Sequence, residues 1–296
     1  MKSRATLGWL VVLAVAAAAL IGGGIWVVNT VKGTFAPGLS LGCTATVADA
    51  EYSLALDQSE NAALISTIAI QRGMPARAAT IALATGLQES KLRNIDYGDL
   101  DSVGLFQQRP SQDWGTVEEI MDPVYSTNAF YDVLAEVPNY VDLPINDAAQ
   151  IVQRSGFPHA YAQHESLSRA FASAMTGQSP EGLNCTLAPA TTASTPDLVI
   201  AGAQTAIGQL TTTTATTSAA EAGTTVHLEV TDAYGWMLAH WALANANQYG
   251  ITEVGYDGKV WNRNANVDGH NVGWQASEAT TGGQVSILLP AAPAAG

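Results

Sequence analysis

The stretch ALATGLQESKLRNIDYGDLDSVGLFQQRPSQD, residues 82–113, carries Glu89 at the end of a run almost free of charge. Just upstream, Met74-Pro75 opens that run as a helix, because proline's missing N–H costs nothing in the first turn. From Ala76 to Leu87 only Arg77 and two threonines relieve the apolar residues. A helix without a polar face is a buried one, so this segment is expected to be the central helix of its domain. About fifteen residues beyond Glu89, the chain reads Gly104-Leu105-Phe106-Gln107-Gln108.

Helical signals continue on both sides. Ser59 is placed to cap a segment with Ala62, Ala63, Ile65, Ile68 and Ala69 apolar, closing at Arg72-Gly73. Asp122-Pro123 reads as cap and first turn for VYSTNAFYDVLAEV, which ends before Pro138. Asn146 is read as the cap of DAAQIVQRSG, and a last helix covers about Tyr161 to Met175. No strand signal stands out between 58 and 180, which predicts a mostly helical domain.

The 296 residues leave room for two modest domains and linkers. Charged residues make up only 13% of the chain, and with many Ala, Gly and Thr this fits a secreted or surface protein. The formal net charge of -14 argues against a nucleic-acid partner, whose phosphates demand basic patches. Residues 5–28 carry no charge and follow Lys2 and Arg4. As a helix they would span roughly 36 Å, enough to cross a bilayer. An uncleaved anchor is expected over a cleaved signal, whose apolar core is shorter. The basic residues before it place the N-terminus in the cytoplasm and the bulk outside. Cys43 and Cys185 fit no metal-ligand spacing, so one disulfide is the expectation, with two buried thiols as the alternative.

Glu89 has a chemical reading. Apolar burial and the negative end of the helix dipole both disfavour the charged carboxylate. A carboxyl kept protonated near neutral pH can give its proton to a leaving oxygen. The alternative is a surface glutamate that ends a helix beside Lys91 and Arg93. Glu89-Ser90, followed by Gly104-Leu105-Phe106-Gln107-Gln108, resembles the Glu-Ser and Gly-Leu-Met-Gln motifs of the soluble lytic transglycosylase and goose-type lysozyme family. The stretch AAQIVQRSG at 148–156 resembles that family's third motif. More narrowly, GLFQQRPSQDWGT, MDPVY and AAQIVQRSGFPHAY look like lysozyme-like domains of actinobacterial surface proteins and phage tail proteins. The resemblance covers roughly residues 58–175.

This resemblance implies that Glu89 acts as acid and then base in cleaving the β-1,4 bond between N-acetylmuramic acid and N-acetylglucosamine of peptidoglycan. It implies substrate contacts at Ser90, Gly104, Gln107, Gln108, Gln153 and Tyr161. Ser90 is expected to orient Glu89 or the loop, since no histidine stands near it in sequence. Glutamine amides can both donate and accept toward sugars. A transglycosylase needs one carboxylate; hydrolysis usually needs a second. Asp96, Asp99 and Asp101 lie between the motifs and either serve that role, bind a cation or solvate the loop. Tyr97, Trp114 and Tyr161 are either sugar platforms or core. Arg154 stands where the family usually has Asn, and His159 and His164 are read as surface residues.

After Cys185, TLAPATTASTPD and later TTTTATTSAAEAGTT read as exposed connections. Between and beyond them come a short helix at 198–210, a strand VHLEV, a helix GWMLAHWALANANQYG, strands ITEVGYD and KVWNR about Gly258, and a strand QVSILLP. The helix and YDGKVWNR resemble the end of a domain related to zinc D-alanyl-D-alanine carboxypeptidases. The zinc set expected from that likeness is incomplete. The strand carries His227 and Glu229, the last strand has no histidine, and His240 and His270 are the remaining candidates. Trp236, Trp241, Trp261 and Trp274 are either a wall-binding face or core.

The sequence therefore predicts an α+β chain. It has a membrane anchor at 1–30, a stalk at 31–57, a mostly α-helical lysozyme-like domain at 58–185, a linker at 186–195 and a small α+β domain at 196–296. The partners expected are a peptidoglycan strand, the membrane and cell-envelope machinery, with no cofactor and no metal. The alternative from another class is a non-cleaving wall-binding or scaffold protein. Glu89 salt-bridged to Arg93 would favour that alternative; a cleft shared by Glu89 and Gln107 would favour the enzyme.

Overall fold

The computed structural model describes residues 41–47, 49–157, 159–191, 194–208, 211–217, 223–267 and 271–291. The expected anchor at 1–30, the stalk up to residue 40 and His270 lie outside the described residues. The fold is mixed α+β. Among the described residues, no helix is long and apolar enough to cross a membrane.

Residues 42–54, expected as stalk, instead form two strands, β1 (Gly42–Val47) and β2 (Ala50–Leu54). Cys43 and Ala45 point inward and are fully buried, an alternation too short to register as a strand pattern in sequence. Long-range pairing supplies what the local pattern lacks. Strand β1 sits between β2 and β3 (Leu183–Thr186), with Cys43 directly opposite Cys185 and bonded to it.

Helix α1 (Leu56–Gln71) begins three residues before the expected cap: Gln58 accepts from the Ala55 N–H, while Ser59 is buried and donates back to the Ala55 carbonyl. Helix α2 (Ala76–Ser90) is the central helix, with every residue from Ala78 to Leu87 buried. Short α3 (Val117–Ile120) leads into α4 (Pro123–Ala135), whose cap is Asp122 as expected, accepting from the N–H groups of Val124 and Tyr125. Helix α5 (Ile145–Gln153) starts one residue earlier than the expected cap, with Asn146 inside it. Helix α6 (Glu165–Met175) follows a short 3-10 turn. Helices α1, α4, α5 and α6 surround α2.

Beyond β3 come α7 (Pro196–Ile207), β4 (Thr211–Thr217), β5 (Gly223–Glu229), α8 (Asp232–Ala244) and α9 (Ala246–Tyr249). Then follow β6 (Glu253–Tyr256), β7 (Lys259–Asn262), β8 (Gln275–Ala276) and β9 (Gln284–Pro290). They make one antiparallel sheet of order β4-β5-β9-β6-β7-β8. The threonine run at 211–217, expected as a connection, is its edge strand. β-Branched threonine suits a pleated strand, and the pairing of Thr211 with Glu229 through Thr217 with Gly223 decides the matter.

Residues 41–296 form one compact unit by their contacts. Helix α8 packs on β6 and β9 and also on α1 and α6, so a single core runs through both expected domains. The segment expected as a linker is strapped down: the Leu187 N–H donates to Asn266, and the Ala188 carbonyl accepts from Arg263 at 2.9 Å. Arg263 is 2% exposed and also donates to the Ile251 and Ala246 carbonyls, which fixes three chain segments to one another.

Candidate functional site

The site starts from how α2 ends. Lys91 and Leu92 both take left-handed backbone conformations, which turns the chain back and leaves Glu89 in the last helical turn. Ser90 is buried. Its hydroxyl donates to the Leu105 carbonyl at 2.7 Å and accepts from the Arg93 N–H, tying the later loop to the helix end. This is an orienting role. Gly104 completes the junction with φ +80, and a Cβ there would stand 2.8 Å from the Ile120 carbonyl oxygen. Only glycine tolerates both conditions. Leu105 and Phe106 are fully buried, with Phe106 stacked on Phe130 at 4.7 Å between ring centres.

The two glutamines part company. Gln107, at φ +48, faces a groove of about 480 Å³ that Glu89 also lines, and its amide donates to the carbonyls of Tyr97 and Gly104. Gln108 is 1% exposed, donates to the Ser126 carbonyl and does not line the groove, so the expected sugar contact there becomes a core bond. Gln153 lines the groove and donates to the Phe106 carbonyl at 2.8 Å.

Tyr161 is fully buried and donates its hydroxyl to Oε1 of Glu89 at 2.7 Å. Burial pushes the Glu89 carboxyl above its ordinary pKa, and the bond from Tyr161 opposes that shift. Burial and the neighbouring carboxylate push the Tyr161 phenol up, so it stays a donor at all ordinary pH. Arg93 does not reach Glu89; it pairs with Asp57 at 2.5 Å.

Of the three loop acids, Asp99 lines the groove with Glu89. Asp101 is a loop staple: it pairs with Arg109 at 2.7 Å and accepts from the Ser111 N–H and hydroxyl. The Arg109 guanidinium holds its carboxyl well below the usual range. Asp96 is exposed and outside the groove. Trp114 lines the groove half-buried, while Tyr97 is 69% exposed and lies outside it. Arg154 and the exposed Phe157 also line the groove. His159 is exposed, and half-buried His164 donates from Nε2 to the Gln88 side chain.

Sequence reasoning missed Gln88, Arg109, Gln112 and Phe157, all of which line the groove. The adjacency of Gln88 to Glu89 was the one signal available for it.

In the C-terminal half the tryptophans are core, not a surface face: Trp236, Trp241, Trp261 and Trp274 are each at most 8% exposed. The Trp261 and Trp274 indoles donate to the Asn184 side chain and the Leu183 carbonyl of β3. His240 is fully buried on α8 and donates from Nδ1 to the Ala174 carbonyl of α6, since a carbonyl can only accept. Among the described residues, no group of three or more His, Cys, Asp or Glu stands together to hold a metal ion.

No family model matches the chain, and no curated protein matches it in sequence.

Proposed function

We propose that the protein is a membrane-anchored, extracytoplasmic enzyme that cleaves the β-1,4 bond between N-acetylmuramic acid and N-acetylglucosamine in peptidoglycan. The observation that carries this reading is Glu89 itself: a half-buried carboxyl with raised pKa, open to a polar groove and held by a buried phenol. A carboxyl biased in this way toward its neutral form can donate its proton to the glycosidic oxygen as the C–O bond breaks. The resulting carboxylate then takes a proton from the incoming nucleophile and is restored.

The pairing of Arg93 with Asp57 supports the enzyme over a scaffold, because Glu89 is left free to titrate. The engagement of Asp101 with Arg109 removes one candidate for a second catalytic carboxylate and leaves Asp99 in the groove; attack by the sugar's own 6-hydroxyl, giving a 1,6-anhydro product, needs neither. The uncharged residues 5–28 would hold the enzyme at the membrane, facing the wall.

The test is a murein digest by purified full-length protein beside Glu89→Gln, with products read by mass spectrometry. Soluble fragments one water lighter than hydrolysis products, lost in the mutant, are expected. Pelleting of both proteins with intact murein would replace the enzyme by a wall-binding protein.

A further inference from the structure

A second cavity, of about 310 Å³, lies away from the groove between α1, α7 and the end of α8. Glu60 on α1 lines it half-buried, and among the described residues its carboxylate has neither a hydrogen bond nor an ion pair. The charge acting on it is another carboxylate, Asp57, itself engaged by Arg93. Two amides flank the cavity, and each has one N–H of its Nδ2 engaged by a backbone carbonyl. Asn61 donates from Nδ2 to the Leu92 carbonyl and Asn245 from Nδ2 to the Trp241 carbonyl, each at 2.8 Å. Because those partners can only accept, the amide orientation is fixed and each Oδ1 remains as an acceptor.

The walls are aromatic. Trp241 and Tyr249 stand 6.0 Å apart between ring centres, tilted by 42°. Tyr249 lies so close over α7 that a Cβ at Gly202 would fall 2.1 Å from its hydroxyl oxygen, so glycine there sets the position of the ring.

We infer that this cavity binds a primary ammonium group. Glu60 supplies a charged acceptor with no counter-ion, the two amide oxygens add neutral acceptors at the rim of the same cavity, and aromatic walls add cation–π attraction. Anions are repelled by Glu60, and a neutral amide gains no ion pair. The volume sits at the small end for ligand cavities, which suits an amine on a short stem and not an extended chain. A lysine-type side chain and an amino sugar carry the same group. The inference stands apart from the chemistry of Glu89.

Titration calorimetry of the full chain with n-butylammonium tests it, with n-butanol as the neutral control. Saturable binding of the amine alone is expected, weakened about tenfold or more in Glu60→Gln, equivalent to about 1.4 kcal/mol. Gln248 borders the cavity and is exposed, so Gln248→Lys should supply a tethered ammonium and exclude the free one. A glutamine at 60 is close in shape, and an unchanged melting temperature certifies its fold. Binding of Nα-acetyl-lysine amide or of glucosamine, but not of N-acetylglucosamine, would support the site and assign its source of amine. Absence of saturable binding, equal binding by Glu60→Gln, or equal binding of butanol or N-acetylglucosamine would overturn it.

Discussion

Tyr161 reaches across 2.7 Å to donate its hydroxyl to Oε1 of Glu89, a residue 72 positions earlier in the chain. The phenol favours the charged carboxylate while the apolar end of α2 favours the neutral acid. Burial is the larger effect, so the acid starts closer to the pH at which it would work.

Tyr161→Phe removes the weaker, opposing influence. The carboxyl pKa should then rise further, and the alkaline limb of kcat/KM against pH should move upward, with a modest loss of rate from poorer positioning. A limb that moves downward would show that the phenol, not burial, dominates.

Glu89→Gln should stabilise the fold at alkaline pH while it suppresses cleavage. A carboxyl whose folded pKa is raised contributes stability present below its unfolded pKa and lost as pH rises through the folded one. A glutamine carries no such loss and can still accept from Tyr161. Its melting temperature should therefore exceed that of the wild type at about pH 8 and match it at about pH 4. Cleavage should fall by about 10²–10⁴.

His240 acts in the opposite direction. Burial brings its pKa from 6.5 to about 4, so the folded state keeps it neutral while the unfolded chain takes a proton. Stability is intact above about 6.5 and is lost as pH falls toward about 4, by on the order of 3 kcal/mol. His240→Gln should be less stable at neutral pH and show a shallower acid decline by thermal melting.

The disulfide closes 142 residues. Replacing both cysteines by serine should lower stability by up to about 5 kcal/mol in the chain-entropy account, seen in denaturant titration. Gly104→Ala should cost about 1–3 kcal/mol, since it meets both a positive φ and the Ile120 carbonyl.

Local physics made part of this legible in advance. The largely apolar run at 76–87 announced α2, and Asp122-Pro123 marked its own helix start, because burial on all faces and capping are written in adjacent residues. The strands at 42–54 and the threonine strand were not: β1 and β2 are short, and the polar run of β4 shows no apolar alternation, although β1–β2 and β4–β5 are sequence-local hairpins and only β1–β3 joins distant segments. Gln107 and Gln108 are chemically identical, and the positive φ at Gln107 sets the turn at which one faces the groove and the other the core. The apolar character of α8 was visible, yet nothing local says that it is buried against α1 and α6 as well as the sheet.

That last feature bears on how such a chain changes over generations. Across the boundary near residue 190, His240 holds Ala174, Trp274 holds Leu183, Trp261 holds Asn184 and Arg263 holds Ala188. A recombination event that joined the first half to a foreign partner would strand all four donors and open a seam through one core. Substitutions in one half at these contacts would therefore have to be matched in the other.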